Sequence, residues 1–338
     1  MTSQTGATAR EPRVSKLRAY VHIDSHVATF VNTTAMLARR ICPGIYIPAR
    51  SYSSGTIRPV PVLPDASIET FRKHAFEPAY PALLPRGYQA YIPAAHAWFS
   101  QPGDAREPTR LNVDYFENFG AAVVPLEITN DGKFARIENS IGFFLEFVYA
   151  SDSAWLVPQS CTQQSDPPLR SLTSTNARIY IAQASLTDLP WEMQADLPKP
   201  DLVLKAGKGD VYDSSLWLGQ PPTYTPLHRD PNPNLFVQLA GKKLVRLYPP
   251  RTGSAVFSKV QEMIGGTASA TMRGEEMMQG KEKELLEQEV WGDGVDTVDG
   301  AMHAELDAGD ALFIPKGWWH SIKGVGDSIN GSVNWWFR

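Results

Sequence analysis

Cysteine is nearly absent from this chain: its 338 residues include only Cys42 and Cys161, and neither has a second cysteine or a histidine at zinc-ligand spacing. That scarcity excludes a disulfide framework and a structural zinc module, and it fits a reducing compartment. Long apolar runs are missing as well. No stretch of eighteen apolar residues reads as a membrane span, and the N-terminus does not follow the basic, apolar, small-residue order of a secretory signal. Charge of one sign is also lacking. The 32 basic and 36 acidic side chains leave a formal charge of −4 with no block of like charges, which gives nucleic acid no electrostatic footprint. The expectation is an intracellular protein, cytoplasmic or nuclear, with no nucleic-acid and no membrane partner. Residues 1–45 carry Arg10, Arg13, Arg18, Arg39 and Arg40, a weak transit-peptide composition that Glu11 and Asp24 interrupt. No internal repeat is present, and oligomeric state is not legible.

What is present is enough chain for one large domain or two ordinary ones. Residues 1–64 read as an N-terminal extension, partly irregular, ending in the Pro- and Ser-rich PARSYSSGTIRPVPVLP. Beyond it, ASIETFRKHAF predicts a helix with Ser67 as N-cap, and VDYFENFG a second one stopped by Gly120. AAVVPLEI and ARIYIAQA predict strands, and NSIGFFLEFVYA has helical spacing. From Asp210 onward short β-type runs dominate: VYDSSLWLG, LFVQLA, KLVRLYPP, GDALFIP and INGSVNWWFR, separated by Gly, Pro and Asn. The pattern predicts a mainly β barrel or sandwich with flanking helices, not a doubly wound sheet. An insert at about 251–303 interrupts it, partly helical and rich in Met and Glu. Two roles fit this insert, a solvated helix or a lid near the site mouth, with Met272, Met277 and Met278 as an adaptable apolar surface.

The stretch TPLHRDPNPNLFVQLAGKKLVRLYPP, residues 225–250, holds the first chemical signal. Alternation along a strand sends His228 and Asp230 to one face, where an imidazole and a carboxylate form two legs of a metal site. A 2-His-1-carboxylate site needs a third ligand. The best candidate is His320, which follows the turn and strand of GDALFIPKGWWH. His303 reads as a surface residue approaching a strand, while His22, His26, His74 and His96 have no acidic partner at strand spacing. A His-x-Asp pair alone is more often solvated or ion-paired than metal-binding.

These segments together, with SVNWWF after them, resemble the JmjC oxygenases, cupin-like enzymes that use iron and 2-oxoglutarate. The likeness is closest to their small hydroxylase branch, which includes arginyl hydroxylases and the asparaginyl hydroxylase acting on hypoxia-inducible factor. It extends upstream through FRKHAFEPAYPALLPRGY, VDYFENFGAAVVPLEI, FARIENSIGFFLEFV and YIAQASLTDLPWEMQADL, and so covers roughly residues 65–338. The resemblance implies a double-stranded β-helix, or jelly-roll, core in a JmjC/cupin-like oxygenase domain. It also implies Fe(II) held by His228, Asp230 and His320, with 2-oxoglutarate as cosubstrate and O2 as oxidant. Lys243 and Thr225 fall where the family grips the distal carboxylate, and Asn234, Tyr180 and Asn334 match polar positions around it. Gln183, Trp217 and Trp336 fall where the family meets its substrate. The implied reaction is hydroxylation of a C–H bond in a protein side chain or a small molecule, with succinate and CO2 as co-products. A JmjC-type histone lysine demethylase is the alternative, and a non-catalytic cupin-like metal-binding protein is a second.

Overall fold

The computed structural model describes residues 57–88, 92–100, 107–130, 133–153, 177–266, 275–292 and 298–338. His22, His26, Cys42, Cys161 and Met272 lie outside them. The chain begins with β1 (Arg58–Pro59), α1 (Ile68–Phe71), β2 (Ala82–Leu83), α2 (Ala94–Ala97) and α3 (Val113–Glu117). Ser67 caps α1 as expected, its hydroxyl accepting the Thr70 N–H at 3.2 Å, and a π-turn over Arg72–Phe76 continues the helix. Next come β3 (Val123–Asn130), β4 (Lys133–Ser140), α4 (Ile141–Ser153), β5 (Arg178–Ser185), α5 (Trp191–Ala195) and α6 (Asp201–Lys205). The second half contributes β6 (Val211–Gly219), β7 (Thr223–Arg229), β8 (Asn234–Ala240) and β9 (Lys242–Tyr248). Two helices follow, α7 (Pro250–Ile264) and α8 (Gly280–Trp291), then β10 (Met302–Leu306), β11 (Ala311–Ile314), β12 (Trp319–Val325) and β13 (Asn330–Phe337).

These strands form two sheets, β1-β10-β9-β12-β7 and β2-β11-β8-β13-β6-β5-β3-β4. Four consecutive strands of each, β10-β9-β12-β7 and β11-β8-β13-β6, are antiparallel throughout, which is the jelly-roll core expected from the sequence. Arg58 and Pro59 pair with β10, and Val60 and Leu63 are buried, so the fold takes in residues upstream of Ala66. Gly241, at φ +69°, makes the tight β8–β9 turn.

Three apolar layers follow from alternation. Between the sheets lie Phe236, Val245, Leu247, Met302, Leu306 and Leu312. The other face of β8 and β13, with Leu235, Val237, Val333, Trp335 and Phe337, packs under the N-terminal helices. Both faces of β8 are therefore buried, which is why all seven of its residues are inaccessible. The outer face of the five-stranded sheet carries Leu227, Tyr248 and Trp319, and the insert covers it with Phe257 and Val260 of α7 and Leu285, Leu286 and Val290 of α8. The described part of the insert is thus a packed cover on this sheet face, with Met277 only 6% exposed and Met278 half-buried. Gly253 permits this seating, since a Cβ there would collide with the Trp319 side chain.

Candidate metal centre

β7 and β12 run antiparallel side by side, with His228 directly opposite His320. Paired residues share a face, and this face looks toward the second sheet. The two imidazole centroids lie 4.2 Å apart. Asp230 follows β7 by one residue, and its carboxylate stands 3.9 Å from His228 Nε2 and 3.6 Å from His320 Nε2. Among the described residues, the ligand atoms of His228, Asp230 and His320 lie within 4.8 Å of one another. The i and i+2 reading of the sequence is met, and the third leg comes from ninety residues further on.

Backbone carbonyls set both tautomers. His228 Nδ1 lies 2.8 Å from the Pro226 carbonyl and His320 Nδ1 lies 3.3 Å from that of Trp318. A carbonyl only accepts, so each Nδ1 bears a proton and each Nε2 is the nitrogen turned to the centre. Burial pushes the His320 imidazole down to about 4, helped by His228 and opposed by Asp230, so it is neutral near pH 7. Burial alone would raise the Asp230 carboxyl. The facing His320 and His228, with hydrogen bonds from Trp336 and Asn234, outweigh it and hold the group below the usual carboxylate range.

The two Asp230 oxygens are used differently. Trp336 Nε1 and Asn234 Nδ2 donate to Oδ2 at 2.8 and 3.0 Å, and Asn334 Nδ2 donates to Asn234 Oδ1 at 2.9 Å. These bonds fix the carboxylate plane, with Oδ1 facing His228 and Oδ2 facing His320. Two imidazole nitrogens and one anchored carboxylate oxygen are a donor set suited to a divalent transition metal with open positions opposite.

A second feature lies deeper between the sheets. Lys243 is 3% exposed, and its ammonium donates to Ser332 Oγ at 2.7 Å and to Tyr180 Oη at 3.2 Å, with Phe236 beneath at 5.1 Å. Among the described residues no carboxylate is its partner, and burial pushes its ammonium down to about 7. Desolvation, joined by the charge of Glu127, raises the Tyr180 phenol. Burying a cation among neutral oxygens is costly, and a bound anion would offset that cost.

Thr225 reaches this face through an irregularity. Between the pairs His320–His228 and Ile322–Thr225, β7 spends three residues against two on β12, a bulge occupied by Pro226 and Leu227. Strict alternation would put a residue three positions from His228 on the opposite face, and the bulge returns Thr225 to the same one. Trp217 stands on β6 opposite Ser332, 6.2 Å from the Tyr180 ring, its indole nitrogen buried and unpartnered. Gln183 is exposed at a second bulge, where it and Ala182 together oppose Trp217, and it takes a left-handed φ of +57°. Asn234 and Trp336 turn out to hold the Asp230 carboxylate, contacts that their positions in the sequence did not announce. Ser332 was missed, although alternation from Asn334 and Trp336 points to it. His74, His96 and His303 are exposed and stand apart from the centre.

A family model described as a cupin-like domain matches residues 109–338. Among curated proteins, Lysine-specific demethylase 8 of Danio rerio is 24% identical over 285 residues, covering 82% of this chain and 58% of its own length. Jumonji C domain-containing protein 5 of Drosophila melanogaster is 25% identical over 291 residues, with coverages of 82% and 59%. Lysine-specific demethylase JMJ30 of Arabidopsis thaliana is 29% identical over 164 residues, with coverages of 46% and 33%. The chain therefore spans between 33% and 59% of the length of these relatives. No helix among the described residues is long and apolar enough to cross a membrane.

Proposed function

Since this chain belongs to the cupin-like domain family and is similar to JmjC proteins, we propose that it is an Fe(II)- and 2-oxoglutarate-dependent oxygenase. The observation that carries the reading is the convergence of His228 Nε2, His320 Nε2 and one Asp230 oxygen within 4.8 Å. Such a facial triad of two imidazoles and one carboxylate is the donor set of non-haem Fe(II) oxygenases. When bound, iron with 2-oxoglutarate supplies oxidation of a C–H bond at the expense of O2, releasing succinate and CO2.

The protein's share is binding, orientation and exclusion of water. His228, His320 and one Asp230 oxygen would hold the metal, and Trp336, Asn234 and Asn334 keep the carboxylate from rotating. Lys243 takes the distal carboxylate of 2-oxoglutarate, with Tyr180, Ser332 and the Thr225 hydroxyl around it. An anion there supplies the charge partner that the buried ammonium lacks. Trp217, Trp336 and Gln183 form the wall that meets the substrate, and the left-handed backbone of Gln183 costs about 1 kcal/mol that a contact at this rim would offset. The oxygenase domain extends the expected residues 65–338 upstream to include residues 58–63, with the helical insert at about 251–303, and we assign it no nucleic-acid or membrane partner and a place in the cytoplasm or nucleus.

The product we favour is a hydroxylated protein side chain or small molecule. A second reading, removal of N-methyl groups from histone lysine, is favoured by the names of the Danio and Arabidopsis relatives, and it uses the same centre. Peptide and metabolite libraries incubated with Fe(II), 2-oxoglutarate and O2 separate them, since hydroxylation adds one oxygen in mass and demethylation releases formaldehyde. Asp230→Ala should abolish succinate formation while the fold survives. Near-parent turnover in that variant would sink the triad assignment.

A further inference from the structure

α8 lies outside the sheet whose inner face bears the two histidines, yet it reaches their backbone. Trp291, the last residue of α8, donates its indole N–H to Ser321 Oγ at 2.9 Å, and Ser321 Oγ donates to the Thr225 carbonyl at 2.8 Å. Ser321 is 0% exposed and lies between His320 and Ile322, opposite the bulge. The Thr225–Pro226 peptide has no N–H, so its carbonyl is the only group by which its plane can be held. The next carbonyl, that of Pro226, is the one that fixes His228 Nδ1 at 2.8 Å. A serine hydroxyl has a single proton, here given to Thr225, so only a donor can complete its geometry. An indole N–H is donor-only, and Trp291 supplies it.

The ring of Trp291 is itself secured. Arg246, the register partner of Ser321 on β9, lies 5.2 Å from the ring centroid, and Lys323 lies 5.1 Å from it. Lys323 also pairs with Glu287, one turn back on α8, at 2.6 Å.

We infer that Trp291 is a positioning residue for the metal centre: through Ser321 it fixes the Thr225–Pro226 peptide, and through that peptide the ring plane and tautomer of His228. This rests on the reading of His228, Asp230 and His320 as metal ligands. Groups that orient a metal ligand are typically worth 10–100-fold in metal affinity.

The test titrates the full chain with Co(II), an air-stable stand-in for Fe(II), and follows its visible absorption. It compares the parent with Trp291→Phe, Ser321→Ala, the double variant and Glu284→Gln. Trp291→Phe keeps the aromatic ring and loses only the N–H. Each single change in the relay should weaken Co(II) binding about tenfold or more, and the double variant should be no weaker than the weaker single, because both act on one path. Glu284→Gln, exposed on the same helix and paired with Lys281 away from the relay, should bind as the parent does. In the metal-free protein, the 15N shifts of the His228 ring should move in Trp291→Phe toward a mixture of tautomers. Parent-like Co(II) affinity and ring shifts in both single variants, with only the unfolding midpoint lowered, would make Trp291 a packing residue and overturn the inference. Co(II) binding by the parent that His228→Ala leaves unchanged would instead remove the metal-centre reading, and a parent that binds no Co(II) overturns both.

Discussion

Lys243 shows how one side chain can be costly alone and useful with a ligand. Its folded ammonium titrates near 7 and its ordinary value is 10.5, so between those values the unfolded chain holds a proton that the folded chain lacks. Stability contributed by this group therefore rises with pH across that window, and below about 7 the full penalty of burying the cation remains. Lys243→Met should stabilise the protein without 2-oxoglutarate by about 2–4 kcal/mol at pH 6, less what the unpartnered Tyr180 and Ser332 hydroxyls cost. The gain should fade as pH approaches 10.5. Unfolding midpoints at pH 6 and pH 10 decide it, and a variant less stable than the parent at pH 6 would mean that Lys243 already has a counter-charge. At this scale much was legible in the sequence. His228 and Asp230 follow from the period of two, His320 from a strand after a turn, and Lys243 from its place beyond the Gly241 turn in a recognisable motif. The Trp336 and Asn234 bonds to Asp230 were not, because a strand pattern gives a residue's face but not the atom its polar tip meets.

At the scale of elements, the expected helices and strands formed where periodicity placed them, and the packing of the insert was the part least legible in the sequence. Its apolar residues are sparse and its glutamates many, so the narrow stripe of Gly253, Phe257 and Val260 in α7 was diluted below recognition. The strand face it covers was equally silent, since Leu227, Tyr248 and Trp319 read as ordinary alternation. The Thr225 bulge was hidden for a related reason: a bulge changes register without changing composition, and only the partner strand reveals it. Gly253 offers the sharpest check of the seating. Alanine in a helix interior is preferred over glycine by about 1 kcal/mol, but here its Cβ must displace the base of a fully buried tryptophan, at a cost of about 1–3 kcal/mol. The clash wins when the neighbour cannot yield. Gly253→Ala should therefore lower the unfolding free energy in urea, and a more stable variant would show that α7 rides further from β12.

For the molecule as a whole, the five-stranded sheet is covered on both sides, by the second sheet within and by α7 and α8 without. Sheets of this class often leave one face to solvent. Here the strands that present His228 and His320 are a middle layer, and β12 is also flanked by β7 and β9. Opening such a strand requires removing two apolar layers at once, so its backbone protons have no local route to water. β4 stands at the opposite extreme, an edge strand with most of its residues exposed or half-exposed. In deuterium oxide the amides of β12 should outlast those of β4, exchanging only as fast as the entire fold opens. Early loss of protection along β12 would mean that the insert lifts off in the native state. If β12 instead keeps time with global unfolding, the protein has no partly opened form in which the fold persists and the candidate centre is lost, and its slowest protons become a clock for the lifetime of the site.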